Sequence, residues 1–289
     1  MYANDFEYYR ATSVEEAVEL LVSNEGAEPL AGSHGLLPRM RTGEEAPPIL
    51  VDINGIDGLR SIEETEAGVS IGALTTHAEI ARSELIQTHA PALAVAAKAV
   101  GDIQVRNGGS IGGNLAHGDP RADLPAAVLA LGGSVSVTGP DGSSSIDATD
   151  LFHGDFKTEV GDHEIMTAVE IPVSENAAST YVKHRNPLSG YPLIGVGAWV
   201  QTDAAGETIE AARVAATGNL VRSMRLEEVE NALIGSAVDE STIDAAVAEA
   251  SVDEDQYRQD PQASAAYCNH LLAVRTAEAL DAVLAIDSN

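Results

Sequence analysis

Residues 104–125 read QVRNGGSIGGNLAHGDPRADLP, and this glycine-rich stretch decides the organisation of the chain. Four of its first ten residues are glycine. Glycine lets the backbone take positive φ and approach a ligand closely, at a cost of about 0.5–1 kcal/mol in regular structure. The density of glycine indicates either a long flexible turn or a loop whose N–H groups wrap an anion such as a phosphate. The rest of the sequence has to separate these two interpretations.

Length and composition set the broad class of protein. A chain of 289 residues, 44% of them apolar, can form two domains, or three small ones, with a real core. It has no apolar run of about eighteen residues and no secretory signal at its start, so we expect a cytoplasmic protein without a transmembrane segment. The single cysteine, Cys268, excludes an internal disulfide, a Cys-ligated iron–sulfur cluster and a Cys-rich zinc site.

The charge of the chain is strongly unbalanced. Sixteen lysine and arginine residues stand against forty-five acidic residues, which gives a net charge of −29. A nucleic-acid binder needs basic surface to displace phosphate counterions, so we expect no nucleic-acid partner. Repulsion between so many carboxylates is screened at ~1 M salt, where the Debye length falls to about 3 Å. We therefore expect a protein adapted to a high-salt cell.

Acidic residues are also unevenly distributed. Residues 86–118 and 27–43 contain one each, whereas residues 176–202 and 211–226 contain none. In so acidic a chain, such windows are typical of buried segments, subunit contacts or anion sites. We take the last two windows as candidate partner surfaces.

The first part of the chain predicts a small α/β unit. A capping box at Ser13–Glu16 starts a helix over 13–23. A buried strand over 29–31 then runs into the glycine turn 32–35 and a short helix over 36–41, and a second strand covers 49–53. A glycine turn at a helix N-terminus favours an anion. The sequence lacks both the Gly-x-Gly-x-x-Gly dinucleotide fingerprint and a P-loop.

The remaining pattern predicts two further regions with a boundary in the polar stretch 174–179. Before it we expect strands over 69–73, 134–138 and 165–172, a Gly/Ser turn over 139–145, and helices over 77–83, 91–100 and 124–131. After it we expect an antiparallel meander over 180–184, 194–202 and 208–216, followed by helices over 224–234, 241–250 and 262–286.

Other polar pairs do not indicate a metal or catalytic site. His117 and Asp119 lack a third ligand nearby, and Cys268 lies two residues from His270 on a predicted helix, where the side chains point apart. Asp119 and Asp123 could form an acid pair, although a more economical interpretation makes Asp123 the cap of the helix over 124–131. No Gly-x-Ser-x-Gly nucleophile elbow occurs.

Four motifs taken in order resemble a known family. They are AGSHGLLP at 31–38, RNGGSIGGN at 106–114, GDPRAD at 118–123 and PLIGVGA at 192–198. This series is similar to the FAD-binding medium subunit of molybdenum hydroxylases, above all of aerobic carbon monoxide dehydrogenase and then of xanthine dehydrogenase. The resemblance runs from about residue 5 to about residue 284.

The resemblance implies an α+β fold with two domains. The first is a two-lobed FAD-binding domain of the PCMH/VAO-like type over 1–175, with lobes of about 1–56 and 57–175. The second, over 176–289, is an α/β C-terminal domain with an antiparallel three-stranded sheet and a helical bundle. FAD lies non-covalently between the lobes in such proteins.

The resemblance also implies a binding site. The first glycine segment, residues 31–35, and the second, residues 110–114, grip the pyrophosphate. The segment 119–123 lies near the flavin, and Tyr191 lies beside its ring. Tyr181 and Trp199 are interpreted as sheet packing. Ser33 and Gly35 look exchanged relative to the family pattern. Backbone N–H donors suit this chain, which has little lysine to spend on an anionic cofactor. The implied cofactor residues are Ala31, Gly32, Ser33, His34, Gly35, Leu36, Asn107, Ser110, Ile111, Gly112, Gly113, Asn114, Asp119, Asp123 and Tyr191.

The function implied is electron transfer within a complex. A molybdenum large subunit would oxidise the substrate, a [2Fe–2S] small subunit would relay electrons, and the FAD of this chain would pass them to an external acceptor, in a dimer of heterotrimers. No catalytic acid, base or metal is then expected here. Three alternatives stay open: the flavin subunit of a xanthine dehydrogenase-type or other hydroxylase, a stand-alone flavin oxidase, and an assembly or scaffold subunit without FAD.

Overall fold

The computed structural model describes residues 3–154 and 156–284. The ends of the predicted first lobe and C-terminal domain, residues 1–2 and 285–289, lie outside the described residues. The strands are β1 (Glu7–Arg10), β2 (Ala27–Leu30), β3 (Ile49–Asp52), β4 (Ile62–Thr65), β5 (Gly68–Gly72), β6 (Ser134–Gly139), β7 (Gly142–Asp147), β8 (Phe152–Gly154), β9 (Lys157–Thr158), β10 (Ile165–Pro172), β11 (Ala177–Arg185), β12 (Pro192–Thr202), β13 (Ile209–Gly218) and β14 (Met224–Arg225). The helices are α1 (Val14–Ser23), α2 (Leu36–Thr42), α3 (His77–Arg82), α4 (Glu84–His89), α5 (Pro91–Ala99), α6 (Ile103–Gly108), α7 (Ile111–His117), α8 (Leu124–Leu131), α9 (Ala148–Leu151), α10 (Glu227–Leu233), α11 (Glu240–Ala248) and α12 (Ala265–Leu284).

The first lobe is a three-stranded parallel sheet in the order β1-β3-β2, covered by α1. The predicted helix over 13–23 is confirmed, and Ser13 caps it by accepting a hydrogen bond from the N–H of Glu16. Its apolar side packs on β3, where Leu21 and Val51 belong to one buried cluster. The loop between β2 and α2 follows β2, an edge strand with no fully buried residue, so the predicted strand over 29–31 is present but the prediction that it is buried is wrong.

The second lobe is a five-stranded antiparallel sheet in the order β4-β5-β10-β6-β7, packed on helices. Every residue of α8 is buried, and α5 packs beside it. The segment 139–145, predicted to be a turn, mostly forms β7, which pairs with β6 from Gly142 onward. A two-stranded hairpin, β8–β9, follows α9.

The C-terminal part is an antiparallel sheet in the order β11-β12-β13-β14, backed by α10, α11 and α12. The predicted three-strand meander is present, and a short fourth strand extends it. Met224 and Arg225 pair with Ala216 and Ala215, so α10 begins at Glu227 and not at residue 224. The last helix is described to Leu284, and residues 285–286 of the predicted helix lie outside the described residues.

The C-terminal sheet packs directly on the second lobe. Trp199 and Tyr181 belong to the same buried cluster as α5 and α8. Arg213 of β13 donates hydrogen bonds to the carbonyl oxygens of Ala130 and Leu131, at 2.9 and 3.2 Å, and its guanidinium lies 3.7 Å from the Trp199 ring centre. The end of α8 is therefore capped by a side chain from the C-terminal part.

Burial accounts for most of the two acid-free windows. β12 is buried from Pro192 to Val200, and β13 is buried from Val214 to Gly218. The clearest exceptions lie in the turn between β11 and β12, where the Leu188 side chain is 80% exposed and Tyr191 is 43% exposed.

Candidate functional site

The loop between β2 and α2 presents unused backbone donors. In the part of the chain that the structure describes, the N–H groups of residues 32–36 make no hydrogen bond. Ser33 has a φ of 67°, the left-handed region that favours glycine, and its Oγ donates to the carbonyl of Ala31 at 2.9 Å. Gly35 has an ordinary φ of −90°, but a Cβ there would lie 2.9 Å from the His117 ring. The Ser33/Gly35 exchange therefore puts the side chain on the left-handed residue and leaves room for His117.

The second glycine segment was predicted to be a loop, and that prediction is wrong. It forms two short helices, α6 and α7, because two caps start them: Asp102 accepts from the N–H groups of Gln104 and Val105, and Ser110 accepts from that of Gly113. The N–H groups of Ile111 and Gly112 donate to the carbonyls of Thr75 and Ala73, at 3.0 and 2.8 Å.

The two glycine segments touch each other through their backbones. A Cβ at Gly32 would lie 2.5 Å from the carbonyl oxygen of Gly108 and 2.7 Å from the backbone N of Ser110. No side chain fits between them, so residue 32 has to be glycine for the two lobes to meet here.

A cavity of about 1190 Å³ opens beside this contact, between the two lobes and the turn that carries Tyr191. Of the residues that the resemblance implies, Asn107 and Ile111 do not line it. Asn107 is exposed and donates to the carbonyl of Ile103, and Ile111 is fully buried in the core. The others do line it: Ala31, Gly32, Ser33, His34, Gly35, Leu36, Ser110, Gly112, Gly113, Asn114, Asp119, Asp123 and Tyr191.

Asp119 and Tyr191, which line the cavity, form one group with Arg121. Asp119 is 7% exposed, and its two carboxylate oxygens accept from the Nε and a terminal nitrogen of Arg121 at 3.1 and 3.2 Å. The same guanidinium lies 5.3 Å from the centre of the Tyr191 ring. Burial, and then the Asp119 carboxylate, raise the pKa of Tyr191, so its phenol is neutral at neutral pH.

Asp123 does not cap α8, contrary to the sequence prediction. Pro125 at the second helical position has no N–H, which removes one of the donors that a capping carboxylate uses. The Asp123 carboxylate instead accepts from the Tyr181 hydroxyl at 2.7 Å and from Lys183 Nζ at 3.0 Å. Burial raises the pKa of Asp123, and the Lys183 ammonium opposes that shift. Tyr181 is therefore more than sheet packing.

His77 is a cavity residue that the sequence analysis missed. It is 2% exposed, its ring lies against Gly109, and its Nδ1 has no partner among the described residues. Burial, and then the nearby charges of His34 and Arg106, lower the pKa of His77 to about 4, so the ring is neutral at neutral pH. The sequence did contain a signal for the position of His77. The Thr76–Glu79 capping box makes His77 the first residue of α3, and Thr76 pairs with Ser110 of the second glycine segment.

These features fit a dinucleotide cofactor. The cavity is larger than the ~300–1,000 Å³ typical of small-molecule sites. Besides His77 Nδ1, the Oδ1 atom of Asn114 is buried without a partner among residues 3–154 and 156–284, and such atoms are rare unless a ligand or water satisfies them. The unused N–H groups of residues 32–36 suit a pyrophosphate. Fold and site together define a two-lobed dinucleotide-binding protein.

Comparison with known proteins narrows this class. The family described as "FAD binding domain in molybdopterin dehydrogenase" matches residues 4–174, and "CO dehydrogenase flavoprotein C-terminal domain" matches residues 179–283. The chain is 33% identical to the carbon monoxide dehydrogenase medium chain of Hydrogenophaga pseudoflava over 97% of both chains. It is 32% identical to the glyceraldehyde dehydrogenase medium chain of Sulfolobus acidocaldarius, over 84% of this chain and 86% of the relative.

Solved structures agree with the sequence relatives. A structure of carbon monoxide dehydrogenase from Hydrogenophaga pseudoflava that lacks the Mo-pyranopterin moiety contains a chain that superposes with a TM-score of 0.93 at 33% identity, over 99% of each chain. The protein belongs to the family of FAD-binding medium subunits of molybdenum hydroxylases. It is the flavoprotein component of an oxidoreductase.

The described residues add no metal centre to the cavity. They contain no group of three or more His, Cys, Asp or Glu side chains placed to hold a metal ion. None of the helices within residues 3–154 and 156–284 is long and apolar enough to cross a membrane. His117 and Asp119, the pair weighed above as metal ligands, have other partners. His117 packs on Phe156, with ring centres 5.2 Å apart, and Asp119 pairs with Arg121.

Proposed function

We propose that the cavity holds FAD non-covalently, with its pyrophosphate between the loop 31–36 and the start of α7. The observation that carries this proposal is the backbone contact of Gly32 with Gly108 and Ser110, beside five unused N–H groups. N–H donors of this kind bind phosphate oxygens without a lysine. Among the implied residues, Ile111 and Asn107 play supporting parts, since neither reaches the cavity.

The protein then positions the cofactor and does no acid–base chemistry of its own. Bound FAD would supply the redox chemistry, taking up electrons from a [2Fe–2S] subunit and passing them to an external acceptor. Tyr191, held by Arg121, would face the flavin, and Asp119 would keep that arginine in place. We propose residues 1–175, with lobes of 1–56 and 57–175, as the FAD-binding domain and 176–289 as the C-terminal domain.

We propose an iron–sulfur small subunit and a molybdenum large subunit as partners, in a dimer of heterotrimers. Sequence relatives carry the names of medium chains of carbon monoxide, glyceraldehyde and nicotine-oxidising enzymes, which supports a common flavin subunit with the substrate chosen on another chain. The turn 187–191 is our candidate contact for the electron donor, because it lines the cavity through Tyr191 and exposes Leu188.

FAD binding is tested by titrating the purified full-length chain with FAD and recording the visible spectrum after gel filtration. We expect a yellow protein with one FAD per chain that is released on acid denaturation, as a non-covalent cofactor must be. Adding a side chain at Gly32 removes the carrying contact, so Gly32→Ala is expected to abolish binding. A wild-type protein that stays colourless after an FAD soak would overturn the proposal and favour the scaffold alternative.

A further inference from the structure

The C-terminal sheet forms hydrogen bonds to the backbone of the segment 119–123, which contributes to the cavity wall. The N–H of Gly218 donates to the carbonyl of Pro120 at 2.8 Å. The neighbouring Thr217, fully buried, places its Oγ1 at 2.5 Å from the same carbonyl and at 2.8 Å from the carbonyl of Ala122. One side chain at the end of β13 therefore contacts two backbone positions of the segment.

The Thr217 hydroxyl has a defined role in this contact. It carries a single hydrogen, which the two carbonyls have to share. Ser223 Oγ lies 2.9 Å away and acts as the donor to Thr217, because both carbonyls are acceptors only. Ser223 is 4% exposed, so the whole chain of hydrogen bonds is sealed from water.

A second attachment reaches the same segment from β11. Tyr181 and Lys183 bind the Asp123 carboxylate, and Lys183 Nζ also donates to the carbonyl of Ala99 at 3.0 Å. Both attachments come from the C-terminal sheet, and both end on residues within the cavity wall, since Ala122 and Asp123 line it.

We propose that Thr217 is a positioning residue for the flavin cofactor. Its hydroxyl fixes the carbonyls of Pro120 and Ala122, and through them the Asp119–Arg121 pair that orients Tyr191. The C-terminal part of the chain thereby sets FAD affinity and the surroundings of the ring, although the cofactor lies between the two lobes of the first domain. This inference rests on the proposed binding of FAD in the cavity.

The test compares two substitutions at one position in the full-length protein. Thr217→Val keeps the branched shape and loses the hydroxyl, whereas Thr217→Ser keeps the hydroxyl and loses the methyl group. We expect Thr217→Val to raise the Kd for FAD by about fivefold to tenfold, the factor of one buried hydrogen bond, and to change the visible circular dichroism of the bound flavin. Thr217→Ser is expected to stay within about twofold of wild type in Kd and to keep the wild-type spectrum.

Arg213→Gln is the matched control. It lies on the same strand and breaks the contact with the end of α8, but it does not touch residues 119–123. Its melting temperature should fall while its Kd for FAD stays unchanged. A packing role alone would give the opposite order, with weaker binding in Thr217→Ser, which loses the methyl group, and wild-type binding in Thr217→Val, which keeps the shape.

Several outcomes overturn the inference. One is a Thr217→Val protein with wild-type Kd and flavin spectrum; another is a Thr217→Ser protein that loses as much affinity as Thr217→Val. If Thr217→Val does not fold, Thr217→Ala decides by comparison with Thr217→Ser, since both lack the methyl group and only the serine keeps the hydroxyl: a Kd for Thr217→Ala about fivefold to tenfold above that of Thr217→Ser supports the inference, and equal Kd values refute it. A wild-type chain that binds no FAD refutes the proposed function itself, which distinguishes the two failures.

Discussion

His77 illustrates how a single buried residue couples the cavity to pH. Its pKa is about 4 in the folded chain, against about 6.5 in an unfolded one. The unfolded chain therefore binds more protons between pH 4 and 6.5, and the folded state loses stability as pH falls through that window. A pKa shift of this size corresponds to about 3 kcal/mol in the free energy of unfolding, and this contribution is fully lost below pH 4.

The prediction for His77 is measured on the FAD-free chain by urea unfolding at several pH values. Between pH 7 and 4 the wild type should lose about 3 kcal/mol more than a His77→Gln variant, which keeps a polar side chain that does not titrate. Above pH 7 the free energies of unfolding of the two proteins should change with pH in the same way. Parallel pH profiles for the two proteins would mean that the imidazole takes up its proton without penalty.

At the residue scale, the sequence predicted that backbone groups of the site recognise an anion. It did not predict which side chains of the site bond to one another. The glycines and the scarcity of lysine indicated backbone recognition of an anion, which the unused N–H groups of residues 32–36 support. The roles of Asp123 and Tyr181 escaped notice because their bond joins residues 58 positions apart, and no local pattern encodes such a contact.

At the scale of helices and strands, the missed strands share a physical cause. Most of the predicted strands are interior strands or carry a buried face, whereas the missed strands lie at sheet edges: β1, β4, β7, β14 and the pair β8–β9. The residues of β1 are all exposed and most of those of β4 and β7 are, so no apolar alternation marks them. The short helices α6 and α7 escaped for another reason: tertiary contacts and caps stabilise a turn or two that glycine-rich sequence alone would not form.

Two glycines of α7 have opposite surroundings, which gives a prediction about this element. A Cβ at Gly112 would lie 2.5 Å from the Cβ of Ala73 and 2.9 Å from its carbonyl oxygen, so Gly112→Ala must push α7 away from Ala73, the residue that follows β5. Overpacking of this kind costs about 1–3 kcal/mol, and we expect a lower melting temperature. At Gly113, which is exposed in the cavity, the nearest atom is Ser110 Oγ at 3.0 Å, and no backbone atom is met.

Gly113→Ala is therefore the matched control for Gly112→Ala. Its methyl group enters the cavity and spares the core, so stability should change by less than about 1 kcal/mol while FAD affinity falls. Thermal unfolding of the FAD-free proteins separates the two effects, and FAD titration completes the comparison. Equal losses of stability in both variants would show that α7 does not sit against Ala73 as described.

At the scale of the whole molecule, the exposed turn 187–191 gives a prediction about assembly. Asn186 fixes the turn by accepting from the N–H groups of Leu188 and Ser189, so Leu188 is held outward and 80% exposed. Leu188→Asp should leave stability and FAD binding unchanged but break co-purification with the iron–sulfur partner. Ile234→Asp, at a residue 48% exposed after α10, is the control and should leave assembly intact. Co-purification of the Leu188→Asp chain at wild-type yield would remove this turn from the interface.

The net charge of −29 gives the last prediction, about salt. Carboxylates are distributed over the surface, while interior strands and the glycine segments are nearly free of them, so repulsion acts on the fold as a whole. Raising KCl from about 0.1 M to about 2 M shortens the Debye length from about 10 Å to under 3 Å and should remove most of that repulsion. We expect the melting temperature to rise by about 10 °C, which corresponds to about 3 kcal/mol for a chain of this size. Sucrose at equal osmolarity is the control, because it is excluded from protein surfaces without screening charge, and it should give a much smaller rise. Equal melting temperatures in low and high KCl would show that the acidic surface is tolerated without salt, and the proposed adaptation to a high-salt cell would be withdrawn.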